Sequence, residues 1–401
     1  MIPASPRILI APLTGIRALA AFWVVTRHFR VEIIEAFPPL HVFSPLFNLG
    51  YLGVDLFFIL SGFILTFTHL DSMTEKYDWR KALGFLWLRI GRVWPLTAFV
   101  LMLFGLYFVV QTVTSSNPVY AAQADPWRLV QHLLMVQAWS ATPLDWNGPD
   151  WSISAEWMAY LSFAVGVVVL GRFAAVASTR TKIVVIGLLC LPMIIVGFTM
   201  QDDTILLFNK DSYTIFAGVV PIRVLTEFWI GAVLAVLLKN RIREGRTLAF
   251  PLPTITSVAI VAVLYLVTAF DPVRWVRAGQ VEFVNGVDQI APTESIIVLP
   301  LFVLLIASLA VTRRDPVVWL LSRRPVVLGG KVSFALYLSH PLTLGAGILV
   351  LGRFAPGSPL YGAVVIGTLV AAWVFAWVLW RFVEEPSRKL ARKMLPESIK
   401  V

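Results

Sequence analysis

Ten apolar runs follow one another along the chain, each long enough, or nearly so, to cross the roughly 30 Å hydrocarbon core of a bilayer as a helix. Their spans are 8–30, 48–70, 93–113, 152–171, 183–200, 215–238, 248–270, 293–312, 332–352 and 360–382. With 58% of the 401 residues hydrophobic and only 14% charged, a water-soluble fold could not hide so much apolar surface. The expected fold is therefore an all-α polytopic membrane protein with about ten transmembrane helices. Between the third and fourth runs, Trp127 to Trp139 is amphipathic and too short to span, which reads as an interfacial or re-entrant helix. No polar connection is long enough to hold a soluble domain. Residues 1–401 are expected to form a single membrane-embedded domain with nothing soluble appended.

The net charge of +10 would suggest nucleic acid in a soluble protein, but here it is a topology signal. Residues 1–7, 71–92, 172–182, 239–247, 313–331 and the C-terminal tail carry most of the 33 Lys and Arg. The alternate connections carry Glu32, Glu35, Asp202, Asp203, Asp271 and Glu282 and few basic residues. Lys and Arg favour the cytoplasmic side, so both termini are expected to be cytoplasmic, with an even number of spans between them. Cys190, the one cysteine, sits in an apolar run and reads as an inert thiol.

Polar groups inside the runs point to chemistry, because ionisable side chains at bilayer depth are costly and usually face a protein interior or a wet cavity. Arg17 and His28 interrupt the first run. Eleven residues of helix return His28 to within roughly 20° of Arg17's direction, about 16 Å further along, so both line one stripe. Asp55 follows Gly50 and Gly53 near the start of the second run, and Ser61-Gly62 in the same run would let another helix approach closely. Arg89 and Arg92, in RIGRVWP, share a helix face. They read either as ordinary flanking charges or as a paired-guanidinium clamp for phosphate. Glu156 lies a short way into the fourth run, where it could pair with His28 or Arg17. Arg223 and Glu227 in the sixth run are spaced to neutralise each other. In the ninth run, Ser333, Tyr337 and His340 fall at i, i+4 and i+7 on one helix face, a polar lining.

Taken in order, Arg17-x10-His28, GYLGVDLFFILSGF (50–63), RIGRVWP (89–95), WSISAEW (151–157), the Ser333-Tyr337-His340 run and WRFVEEP resemble the integral-membrane acyltransferase-3 family, the O-acyltransferases that decorate bacterial glycans. The likeness covers nearly the whole chain. It implies an acyl donor such as acetyl-CoA, used as co-substrate with no permanently bound cofactor or metal, and an acceptor hydroxyl on a glycan or glycolipid. It also implies a bacterial inner (cytoplasmic) membrane setting. No nucleic-acid partner is expected, and a homo-oligomer or glycan-biosynthesis partners are compatible with it. By position in the family motifs, His28 and Arg17 become catalytic candidates, Arg89 and Arg92 donor-binding candidates, and Asp55, Glu156, Ser333, Tyr337 and His340 further site residues. Some family members carry an additional soluble hydrolase-like domain, which these 401 residues are expected to lack. Others act on macrolides and other small hydroxylated molecules, which leaves the acceptor class open.

The chemistry of the transfer fits these residues. Attack of an alcohol on a thioester needs a base, and a neutral imidazole is suited to that task, which nominates His28. Glu156 or Asp55 could orient its ring. Direct transfer and a covalent acyl-enzyme are both open. A transporter of a lipid-linked glycan is the alternative from another class, but the inverted repeats common in transporters are not evident.

Overall fold

The structure, a computed structural model, describes residues 7–74, 78–115, 124–139, 146–199, 214–270 and 292–396. Asp202, Asp203, Asp271 and Glu282 lie outside the described residues. Within them the chain is helical, with no strand beyond one isolated bridge between Leu248 and Thr312. Among the described residues, eight helical stretches are long and apolar enough to cross a membrane. This makes the protein an all-α, multi-pass membrane protein.

The helices are α1 (Arg7–His28), α2 (Arg30–Ala36), α3 (Ser44–Asn48), α4 (Leu52–Met73), α5 (Trp79–Ser115), α6 (Pro126–Leu133), α7 (Trp151–Val176), α8 (Thr179–Leu189) and α9 (Leu191–Thr199). They continue as α10 (Thr214–Arg243), α11 (Leu252–Phe270), α12 (Pro292–Val311), α13 (Pro316–Leu321), α14 (Arg324–Leu351), α15 (Pro359–Leu379) and α16 (Glu385–Met394).

Two sequence expectations change. The fifth apolar run is not one continuous helix but α8 and α9, separated at Cys190, whose thiol lies 3.4 Å from the Ile186 carbonyl oxygen. The third span also begins much earlier than residue 93. α5 starts at Trp79, runs 37 residues and continues through Pro95, so RIGRVWP belongs to the helix body rather than to a flanking connection. Apolar length alone misses this start because the first turns mix Arg80 and Lys81 with Trp79, Leu83 and Trp87.

α4 and α10 form the centre of the bundle, with 72% of each apolar window buried against 22% for α11 at the margin. Their close contact depends on having no side chain at the crossing. A Cβ on Gly62 would lie 1.8 Å from the Phe228 carbonyl oxygen, and one on Gly231 would lie 1.9 Å from that of Ile59. Small residues at such crossings allow the dispersion contacts that hold helices together in lipid. At one end of the pair, Lys239 reaches Asp71 at 2.5 Å, and Arg243 also pairs with Asp71. Toward the opposite end, in the first turn of α4, buried Asp55 is ion-paired with Arg223 of α10 through Nε at 2.8 Å and through the guanidinium NH2 group. Arg223 thus turns chiefly to Asp55 across the helix pair, while Glu227 stands 3.6 Å from its Nε.

α6 keeps one side exposed, with Trp127 66% and Val130 40% accessible, as the amphipathic pattern suggests, and turns His132 inward. The chain reverses at buried Met135 (φ 57°), the only non-glycine residue with positive φ among those described. On either side of it, His132, Gln137, Asn147 and Asp150 are all buried. At the far end, residues 380–384 form a π-helical turn that leads into α16, and α16 is fixed to α5 by the Trp87 indole donating to Ala391 O at 3.0 Å.

Candidate active site

A cavity with about 800 Å³ of non-atom space, part of it open to the outside, lies among α1, α4, α5, α7 and α14. Its polar lining consists of Arg17, Arg89, Arg92, Ser61, Ser152, Glu156, Tyr160, Ser333 and Tyr337, set among aromatic and aliphatic side chains. Helix geometry explains the convergence: Arg89 and Arg92 are three residues apart on α5, and Glu156 and Tyr160 are four apart on α7, so each pair presents one face. Glu156 Oε1 accepts from the Tyr160 hydroxyl at 2.5 Å and from Ser61 Oγ at 3.1 Å. Ser61 therefore does more than permit close packing.

The three guanidiniums give the cavity its character. Among the described residues, Arg17, Arg89 and Arg92 make no ion pair with a carboxylate, although Glu156 and Glu384 lie within electrostatic reach. Arg17 lies over the Phe57 ring, 6.0 Å from its centroid, and Arg89 lies 5.7 Å from that of Phe85. Arg89 Nε is buried and has no hydrogen-bond partner among the described residues. Concentrated positive charge in a partly enclosed space favours an anionic ligand, and guanidinium forks suit phosphate in particular.

The remaining predicted residues fall into three places. Ser333 and Tyr337 line the cavity, and their hydroxyl protons are already given to backbone carbonyls, Gly330 O at 2.9 Å and Pro149 O at 2.7 Å. His340 sits one aromatic ring further on, its centroid 6.1 Å from Tyr337 and 4.9 Å from His28. The imidazole pair thus connects to the arginine cavity through Tyr337 and Phe57, whose centroids are 6.4 Å apart. Asp55 lies off the lining, in the ion pair with Arg223.

The expected partnership between His28 and Glu156 or Asp55 is not formed. Both carboxylates are engaged elsewhere, and His28 directs Nδ1 to Val24 O at 2.9 Å. A carbonyl oxygen can only accept, so Nδ1 carries the proton and Nε2 the lone pair. A backbone carbonyl, one turn back on the same helix, sets the tautomer that a carboxylate was expected to set.

Three features escaped the sequence reading. Tyr160 stands at i+4 from Glu156, a spacing that could have found it. Glu384, within WRFVEEP, sits in the π-helical turn, buried within electrostatic reach of Arg17 and Arg92. A carboxylate–imidazole pair does exist, but at His132 Nδ1 and Asp150 Oδ2, 2.8 Å apart, with Gln137 Nε2 donating to Asp150 Oδ1 at 3.1 Å. These residues come from α6, the turn after it and the turn just before α7, and no local spacing joins them.

Ionisable side chains gathered around a partly enclosed cavity within a multi-pass helical bundle mark the functional site of a membrane protein. The profile of the acyltransferase domain family, acyltransferase-3, matches residues 10–377, and the chain belongs to that family. It is an acyltransferase of the membrane. The chain is 25% identical to the acyltransferase MdmB of Streptomyces mycarofaciens over 98% of its own length and 95% of that protein's. It is 24% identical to the O-acetyltransferase OatA of Staphylococcus aureus (strain NCTC 8325 / PS 47), over 96% of its own length and 58% of OatA's. A putative O-acetyltransferase of Staphylococcus aureus (strain COL) is 25% identical with the same coverage of both chains. No solved structure matches the chain.

Proposed function

We propose that the protein moves an acyl group, in the simplest case acetyl, from a cytoplasmic acyl-CoA to a hydroxyl of a cell-envelope glycan or glycolipid at the bacterial inner membrane. The observation that carries this reading is the set of three guanidiniums that, among the described residues, have no carboxylate ion pair and face one cavity, whose lining rings Phe57 and Tyr337 pack in series toward an imidazole pair. The phosphates of CoA supply the anionic charge that Arg89 and Arg92 lack, while Arg17 holds the donor along the cavity. An extended pantetheine arm is of the right order to cover roughly half of a 30 Å hydrocarbon core.

At the reacting end, the acceptor hydroxyl gives its proton to His28 Nε2 as its oxygen attacks the thioester carbonyl. The new C–O bond forms, the C–S bond breaks, and the imidazolium returns the proton to the departing thiolate. The O-acetyltransferase name of the staphylococcal relatives supports a hydroxyl acceptor. The test incubates the purified protein with labelled acetyl-CoA and candidate glycans and locates the label by mass spectrometry. Label in ester linkage on a glycan is expected. Donor-independent movement of the glycan across vesicles, with no label transferred, would replace this reading with transport.

A further inference from the structure

His340 is enclosed completely, at 0% exposure, and turns Nδ1 to Tyr337 O at 2.6 Å and Leu336 O at 3.3 Å. Both partners are carbonyls, so Nδ1 holds the proton and Nε2 the lone pair. Among the described residues, that buried Nε2 has no hydrogen-bond partner. Neighbouring hydroxyls do not supply one: Ser339 Oγ donates to Ala335 O, Thr343 Oγ1 to His340 O and Tyr337 OH to Pro149 O. A buried acceptor left without a donor is expensive, so the site is complete only when something brings an N–H or O–H to it.

The nearest reacting group is His28, whose ring is 4.9 Å away, centroid to centroid, and tilted 58° to it. His28 has the same tautomer, so two lone-pair nitrogens belong to adjacent rings. One hydroxyl carries one proton. If that proton goes to His28 during transfer, it cannot also satisfy His340, and a second donor a few ångströms away is required.

We propose that His340 Nε2 accepts a hydrogen bond from a second hydroxyl of the acceptor, adjacent to the one that is acylated. The substrate class is then a polyol with neighbouring hydroxyls, as in a sugar ring, rather than an isolated alcohol. This inference rests on the acyl-transfer reading with His28 as base. The second hydroxyl keeps its proton throughout, and His340 stays neutral, anchoring the acceptor while His28 carries the transferred proton.

The probes are octyl β-glucopyranoside and its 2-, 3- and 4-deoxy analogues, with labelled acetyl-CoA as donor and the labelled position read by mass spectrometry and NMR. Removing a hydroxyl beside the labelled position should lower kcat/KM by about tenfold or more, because a site built to bond a hydroxyl rejects the analogue that lacks it. His340→Phe should bring the parent glycoside down to the level of that analogue, chiefly through KM, with no further loss on the analogue itself. His340→Gln keeps a side-chain acceptor near the place of Nε2 and should retain part of the discrimination. The wild-type comparison needs no variant and stands even if His340→Phe does not fold. Equal rates on parent and deoxy analogues overturn the inference and leave acyl transfer intact, as does undiminished discrimination by a folded His340→Phe protein. Label on glycans but on none of the octyl glucosides also overturns it. Label on neither overturns the acyl-transfer reading beneath it.

Discussion

Arg89 and Arg92 enter the cavity one helical turn apart, and neither spends its charge on a carboxylate ion pair among the described residues. A charge-assisted bond between guanidinium and phosphate contributes about 1.5–3 kcal/mol net. Arg89→Ala and Arg92→Ala should therefore each weaken acyl-CoA binding by roughly 10- to 100-fold while the protein stays folded. Isothermal titration with a non-hydrolysable acyl-CoA analogue gives the comparison, and unchanged affinity in both variants would remove them from the donor site. His28 makes the opposite prediction. Its ring is remote from the arginine cluster, so His28→Ala should retain donor affinity and lose transfer altogether; transfer at the normal rate would exclude His28 as base. At this scale the sequence revealed much of the site, since charged residues inside apolar runs stand out. It did not reveal pairings: Asp55 meets Arg223 from a helix 168 positions away, and Glu156 meets Ser61 from 95 away. Such contacts depend on which helices pack together, which one sequence's periodicity does not specify.

At the level of elements, the two central helices are held at a separation set by backbone rather than side chains. Gly62→Ala would place a Cβ 1.8 Å from Phe228 O, a backbone atom that cannot swing aside. Overpacking of this kind costs about 1–3 kcal/mol. Thermal unfolding in detergent should show a clearly lowered midpoint, whereas Gly187→Ala in α8, where a Cβ would meet nothing within 4 Å, should leave it unchanged or slightly raised. A midpoint for Gly62→Ala equal to that of the control would mean that α4 and α10 do not cross here. Most elements were legible because hydrophobic length is a strong signal. The exceptions lie where hydropathy is not the deciding local signal: Pro192 follows directly on the break at Cys190, and the first turns of α5 mix Arg80 and Lys81 with apolar residues. The π-helical turn at 380–384 has no hydropathy signature either, yet it is what buries Glu384 beside the arginine cavity.

For the molecule as a whole, the placement of donor and acceptor depends on orientation across the membrane. α16 packs against α5 near Trp87 and Gly91, and carries Arg388, Lys389, Arg392 and Lys393. The other end of α4 is flanked by α2, α3 and the turn at Pro38–Phe43, where Glu32 and Glu35 are the acidic residues. If Lys and Arg stay on the cytoplasmic side, the α16 end faces the cytoplasm and the α2–α3 end faces outward. In a Cys190→Ser background, Val42→Cys, at a position 59% exposed, should react with a membrane-impermeant maleimide on intact cells. Lys393→Cys should react only after permeabilisation. The reverse pattern would turn the molecule over, bringing the arginine cavity's donor from the wrong compartment for a cytoplasmic acyl-CoA. It would thus separate two claims that otherwise stand together: the chemistry of the cavity would survive, but the direction of transfer through the membrane would not.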